Sequence, residues 1–521
     1  MKSLYKWQQA CLEAWEQNAY RGIVHVATGA GKTVLALAAI ERLKAQHPNL
    51  RVRVVVPTIA LANQWKQHLL RQAADAADLP GFCGGGQRDT VDRAVMIYVL
   101  ASARKALSKH MRADLALGRP ILLICDECHH LPSQENRHVF DFVTSAVLQG
   151  SLYCTLGLSA TPFSDPESAA YLQGMLGREI YRYSVDHAMR DRVVAPYTIC
   201  SVGTDFLPEE REEYQELTRK LLMAWQALCQ REPSLRTYSP ALLFPRIAAL
   251  AKQAGDDGEH PAVQWLQISY RRKEVSLLAQ SRTQCCLDLL ERLHAEDKTL
   301  IFCERIEQAT ALHQMLRAHF GAAYSVLYHS GMNRAARMRN MDAFREGRSR
   351  VLVACRCLDE GLDVPDANIA IVLSSTSVQR QRVQRLGRII RCAEGKDAAC
   401  LYYIYIRSAS DDCVYLTGLG EEKCFDLQYA PLEHDFTNDL YEYAALDLWA
   451  KAQRAGWRKA NLQELRRCLR EGLTRADYLL PSSALAARAA QAAHTAERNY
   501  WHTMCRMADY YQIGEDDEHE L

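Results

Sequence analysis

No apolar run in the sequence approaches the roughly 18 residues that a bilayer-spanning helix needs, and the opening "MKSLYKWQQACLEAW" holds no apolar stretch of secretory type. This pattern excludes a membrane-spanning class, and a cytoplasmic location is expected. Net charge is also missing: 63 Lys and Arg stand against 62 Asp and Glu. A broadly basic surface is therefore excluded, and any nucleic-acid contact must come from a local groove. Disulfide-framework spacing is absent too. The 18 cysteines are scattered, many within apolar segments such as "LIFC" and "VLVAC", and read as reduced thiols filling cores.

What is present is a 521-residue chain, 48% apolar and 24% charged, long enough for two to four domains with real cores. Short runs rich in Val, Ile and Leu recur, each followed by a helical stretch: "GIVHVA" (22–27), "RVRVVVP" (51–57), "RAVMIYVL" (93–100), "ILLICDE" (121–127) and "LGLSA" (156–160). Without clean alternation, they predict strands buried on both faces of a parallel sheet. The rhythm breaks over 205–283. There Tyr214, Leu217, Leu221, Trp225 and Leu228 mark one apolar helical face, as expected of an insertion packing on a neighbour. Parallel-sheet strands return at 299–303, 324–329, 350–355, 369–373 and 400–406, and helical patterns follow to the acidic "GEDDEHEL". The expected division is a first α/β domain over 1–200, a helical insertion over 201–283, a second α/β domain over 284–430 and a helical C-terminal region over 431–521.

The stretch "ILLICDECHHLP" (121–132) admits three chemistries. Cys125-x-x-Cys128-His129 has the spacing of covalent haem attachment, and the same residues with His130 can form half a zinc site. Zinc needs further Cys or His ligands at close spacing, but Cys285-Cys286 and Cys355-x-Cys357 lie in regular helix or strand patterns. The third chemistry needs a phosphate loop elsewhere, and "VATGAGKT" (26–33) supplies it between a strand and a helix. Thr28, Gly29, Ala30 and Gly31 can turn backbone N–H groups onto phosphate oxygens, and Lys32 can reach the β/γ-phosphates. Thr33 and Asp126 can then hold Mg²⁺, leaving Glu127 to orient and deprotonate an attacking water. ATP and Mg²⁺ are the expected cofactors. Val26 stands where the first Gly of the usual loop pattern would be.

These motifs, taken in order, resemble superfamily 2 helicases of DExH type. DECH (126–129), the GAGKT loop and "SAT" (159–161) are similar to motifs II, I and III, and "VVVPTIALANQW" (54–65) to motif Ia. "TLIFCER" (299–305), "HSGM" (329–332), "DEGLDVPDA" (359–367) and "QRVQRLGRIIR" (381–391) resemble motifs IV, IVa, V and VI. The resemblance covers residues 4 to about 406 and implies two tandem RecA-like parallel-sheet domains that share a triphosphate. It assigns the adenine edge to Gln8, with Gln9 as the alternative, and the ribose to Asp363 beside Gly361. Arg388 and Arg391 become the γ-phosphate sensors, an arginine-finger role worth roughly 10³ to 10⁵ in rate. Gln384 links them to His129, and Arg385 reinforces that surface. Ser159 and Thr161 couple the ATP site to strand contacts, while His130 and His138 read as surface or core histidines.

Motif Ia and motif II differ from the DEAD-box pattern, and only "SSTSVQR" separates the 369–373 strand from motif VI, too short for the hairpin of DEAH-type RNA helicases. The segments 181–197 and 271–293 resemble those of XPB-like proteins, UvsW-like helicases and type III restriction subunits. DNA is therefore the expected substrate, gripped by Pro57, Thr58, Ser102, Arg104, Ser330 and Gly331. "KAQRAGWRKANLQELRRCLREG" (451–472) interleaves Trp457 with Arg454, Arg458 and Lys459; it reads as an amphipathic helix docking on the motor, with a nucleic-acid clamp as the alternative. Partner proteins would use this region or the insertion. The competing functions are a double-strand translocase, the motor subunit of a restriction-like complex, an RNA helicase and a non-catalytic clamp.

Overall fold

A computed structural model describes residues 4–71, 79–90, 92–150, 153–163, 165–195, 197–255, 257–355, 367–374, 398–410 and 424–516. The described chain forms two units, each built on an eight-stranded sheet. In the first, the strands are β1 (Arg21–Val26), β2 (Arg51–Val56), β3 (Gly81–Gly84), β4 (Gln87–Arg88), β5 (Val95–Val99), β6 (Ile121–Asp126), β7 (Tyr153–Ser159) and β8 (Glu179–Tyr183). Their order is β4-β3-β5-β2-β6-β7-β1-β8, and only the β3–β4 pair is antiparallel. Every residue of β5, β6 and β7 is buried, which accounts for their unbroken apolar runs. Helix α1 (Lys6–Gln17) precedes β1, and the crossover helices include α2 (Lys32–Gln46), α3 (Ile59–Leu70) and α4 (Leu100–Ala116).

The register aligns three strand ends. His25 of β1 lies beside Ser159 of β7, and Asp126 of β6 lies beside Leu158. The C-terminal ends of β6, β7 and β1 are thus neighbours, and in open parallel sheets ligands bind beyond those ends.

The second unit has the order β11-β12-β10-β13-β14-β9-β15-β16. Its strands are β9 (Tyr197–Thr204), β10 (Thr299–Cys303), β11 (Ser325–Tyr328), β12 (Val351–Cys355), β13 (Ile369–Val372), β14 (Ala399–Ile406), β15 (Cys424–Ala430) and β16 (Asp435–Thr437). All pairs but β15–β16 are parallel. β9 sits between β14 and β15, pairing with residues some 200 positions later in the chain. A local hydrophobic pattern carries no such information, and no strand is expected there from sequence. Arg282 is fully buried and donates to the carbonyls of Ser276, Leu373 and Ile404, pinning its helix to the ends of β13 and β14.

Residues Pro208–Arg231, Pro240–Ala254 and Pro261–Leu278 are helical. On the first of these helices Tyr214, Leu221 and Leu228 are buried, whereas Leu217 and Trp225 are only partly covered. The C-terminal helices share a core around Tyr441, Leu465, Cys468, Trp501 and Met504. They pack on the second sheet's unit through the Tyr402 hydroxyl, which donates to the Thr474 carbonyl at 2.6 Å, and through His294, 2.8 Å from Asp477. Trp457 packs against the rim of this core with the Arg506 guanidinium 5.1 Å from its ring centre.

Beneath the first sheet, Arg53 projects from β2 with no exposed surface and meets Asp114 of α4 at 2.6 Å. Arg53 also donates to the Arg93 carbonyl, and Asp114 takes a second guanidinium from Arg119 at 3.3 Å. Breaking one side of such a pair leaves a buried charge without compensation. Asp114→Ala is expected to lower stability by about 3–5 kcal/mol in urea unfolding followed by tryptophan fluorescence; a change within about 0.5 kcal/mol, the range of surface substitutions, contradicts this.

Candidate nucleotide-binding site

The turn between β1 and α2 is shaped by two glycines with left-handed backbone, Gly29 at φ 87° and Gly31 at φ 98°. Side chains disfavour that conformation, so glycine lets the chain double back and start α2 at Lys32. Space is a second constraint at Gly31, where a Cβ would stand 3.0 Å from Gln8 Nε2. Gln8 is fully buried; its amide N–H donates to the Gly31 carbonyl at 3.1 Å, and its oxygen accepts from Tyr5 N–H at 2.9 Å. Gln8 thus braces the turn, while Gln9 is exposed. Thr28 Oγ1 is buried without a hydrogen-bond partner.

One end of β6 carries the carboxylates. Asp126 is the strand's last residue, and Glu127 follows in the left-handed region at φ 49°. A non-glycine residue there is strained, at roughly 1–3 kcal/mol, and such strain gathers at functional positions. The turn brings Glu127 Oε1 to 3.0 Å from Lys32 Nζ, with the two side chains only 15% and 11% exposed. Asp126 is buried behind them. Its Oδ1 accepts from Glu127 N–H at 3.0 Å and its Oδ2 from the Trp65 indole N–H at 2.8 Å. Burial, with Glu127 beside it, pushes the Asp126 carboxyl up to about 6 despite Lys32 and the two donated bonds.

The third strand end supplies Ser159, whose Oγ lies 2.8 Å from His129 Nδ1 and accepts from Thr161 N–H at 3.1 Å. His129 Nδ1 is also 3.5 Å from Glu127 Oε2. Motifs II and III are therefore joined side chain to side chain beneath the carboxylates. Cys125 and Cys128 lie in the hydrophobic core of this unit, where burial raises both thiols. Among the described residues, no group of three or more His, Cys, Asp or Glu is gathered to hold a metal ion.

Residues 1–164 match the family described as type III restriction enzyme, res subunit, and residues 281–393 match the helicase conserved C-terminal domain. The chain therefore carries a match to a restriction res subunit followed by a match to a helicase C-terminal domain. It is similar to the DNA 3'-5' translocase XPB2 of Sulfurisphaera tokodaii, with 29% identity over 74% of this chain and 78% of that protein. It is also 25% identical to a putative DNA 3'-5' helicase Rad25 of Halobacterium salinarum, over 74% of this chain but 52% of the relative, so it spans about half of that protein. In fold it resembles a putative HsdR subunit fragment of a type I restriction enzyme from Vibrio vulnificus YJ016, with a TM-score of 0.51, 15% identity and coverage of 83% and 70% of the two chains. The two sheets are accordingly the tandem RecA-like domains of a helicase, a family that uses ATP.

The structure brings Gln8, the loop from Thr28 to Thr33, Asp126, Glu127, His129 and Ser159 to one edge of the first sheet. It engages some strand-contact candidates otherwise. Thr58 caps α3, its hydroxyl accepting from Leu61 N–H, and Arg104 pairs with Glu135. Ser102 is partly covered on α4, and in the second unit Ser330 and Gly331 are exposed after β11. Gly361, Asp363, Gln384, Arg385, Arg388 and Arg391 lie outside the described residues. Sequence reasoning missed Trp65 as the partner of Asp126. A buried indole must place its N–H somewhere, but nothing local says where.

Gly31→Ala combines an unfavourable backbone, at roughly 1–2 kcal/mol, with the encounter with Gln8. Loss of the stabilisation by ADP in thermal denaturation is the expected result; a shift with ADP equal to the parent's contradicts it.

Proposed function

We propose that this chain is an ATP-driven DNA motor, a translocase or helicase, in which the first RecA-like domain holds and hydrolyses ATP. The observation that carries the reading is the junction of the glycine turn after β1 and Lys32 with the Asp126–Glu127 pair at the end of β6, one strand away across β7. The donors fit a magnesium nucleotide. Gly29 and Gly31 open the turn to phosphate, Thr28 Oγ1 has a free hydrogen-bonding capacity, and Asp126 and Thr33 offer the hard oxygen atoms Mg²⁺ prefers. When bound, the ion neutralises charge on the phosphates.

The chain's own residues then divide the work. Lys32 is shared: a phosphate in the turn competes with Glu127 for its ammonium group. Release of Glu127 gives a carboxylate able to take a proton from water, with His129 beside its second oxygen. Arg388 and Arg391 are proposed from sequence alone to sense the γ-phosphate, and Gln384 to link them to His129. DNA is favoured over RNA because the Sulfurisphaera and Halobacterium relatives are both named for action on DNA. Movement along duplex without strand separation is a second reading, favoured by the family of residues 1–164 and by the restriction-subunit fold.

Lys32→Ala and Glu127→Gln are each expected to lower ATP hydrolysis by about 10² or more, with Glu127→Gln still binding ATP; normal turnover in either removes the assignment. Hydrolysis rates with single-stranded DNA, duplex DNA and RNA, together with strand displacement, test the substrate. Stimulation by DNA is expected. Stimulation by RNA alone overturns the reading, and activation by duplex without displacement selects the translocase.

A further inference from the structure

Trp65 belongs to neither the phosphate turn nor the carboxylate turn, yet among the described residues it is one of the two largest side chains with no exposed surface. Its indole N–H is a donor with no acceptor capacity, and it points at Asp126 Oδ2 from 2.8 Å. The carboxylate makes two hydrogen bonds. The one to Oδ1 comes from the adjacent Glu127 N–H, so the local turn already fixes that oxygen. Only the Trp65 bond comes from another element, and it sets the rotation of the carboxylate about its own axis. Each oxygen keeps one lone-pair direction for a further partner.

The position of Trp65 on α3 adds a second link. Thr58 caps this helix through Leu61 N–H, and Trp65 stands seven residues on, two helical turns along the same face. The helix therefore begins at a candidate strand contact and brings a residue of its buried face to the carboxylate. α3 thus links Thr58 and Asp126 through a single helix.

We propose that Trp65 is a positioning residue: its indole N–H orients the Asp126 carboxylate toward the nucleotide's divalent cation and ties it to the helix that Thr58 caps. This rests on the reading of Asp126 as a cation-holding group. Partners that orient a ligand typically change metal affinity by about 10- to 100-fold when removed.

The test uses the full chain loaded with ADP, with Mn²⁺ as the probe and free Mn²⁺ measured by electron paramagnetic resonance. Trp65→Phe keeps an aromatic ring but has no N–H. Mn²⁺ affinity is expected to fall about 10-fold, while ADP affinity in EDTA, measured by calorimetry, stays within about twofold. Trp65→His retains a ring N–H and is expected to recover part of the loss. Parental Mn²⁺ affinity in Trp65→Phe, with a clear loss in Asp126→Ala, overturns the positioning role. Unchanged affinity in Asp126→Ala refutes instead the reading of Asp126 as a cation holder. Should Trp65→Phe not fold, the unsubstituted protein answers through its eight tryptophans, labelled with ¹⁵N at the indole. One slowly exchanging indole resonance is expected to move when Mg²⁺ is added after ADP, and the proposal fails if none does.

Discussion

One ammonium group stands between two claims on its charge. Lys32 lies 3.0 Å from Glu127, and it is also the first side chain after a turn built to receive phosphate. A close ion pair in partly buried surroundings is worth more than one at the surface, because water screens it less. On the proposed reading, phosphate in the turn weakens the pair, and the weakening frees Glu127 to act on water. Binding and readiness to hydrolyse become one event. The rest of the first unit keeps this arrangement in place: the β6–β7–β1 register sets the strand ends side by side, Gln8 braces the turn, and the strained Glu127 backbone aims its side chain at Lys32.

The buried network below it explains why the residues around the carboxylates are polar in an otherwise apolar layer. Trp65 donates to Asp126, Ser159 is bonded to His129 and Thr161, and Glu127 stands between the two sets, its N–H on Asp126 and its Oε2 3.5 Å from His129. A polar group removed from water is costly unless its bonds are made. These contacts connect the carboxylates at the end of β6 to α3 and, through His129, to the end of β7.

Much of this was legible in the sequence, for reasons that can be named. The central strands announced themselves because burial on both faces demands unbroken apolar runs, as in "ILLICD" and "TLIFC". The phosphate turn was legible because only glycine tolerates its backbone at Gly29 and Gly31. What stayed hidden depends on long-range pairing. β9 belongs to a sheet whose other strands lie far downstream, and the short β3–β4 hairpin has no strong pattern of its own. Trp65 and Arg53 read as ordinary members of a helix and a strand, since their partners Asp126 and Asp114 are each 61 residues away. Thr58 and Arg104 are strand-contact candidates by position, and their roles as a cap and an ion partner could not be read from sequence.

The sharing of Lys32 is open to a direct measurement: ATP affinity in EDTA for the parent, Glu127→Gln, Lys32→Ala and the double variant, combined as a cycle. If Glu127 holds the ammonium group, neutralising it tightens ATP binding by about 3- to 10-fold, roughly 1 kcal/mol, and that gain disappears when Lys32 is absent. An equal gain with and without Lys32, or no gain at all, contradicts the account.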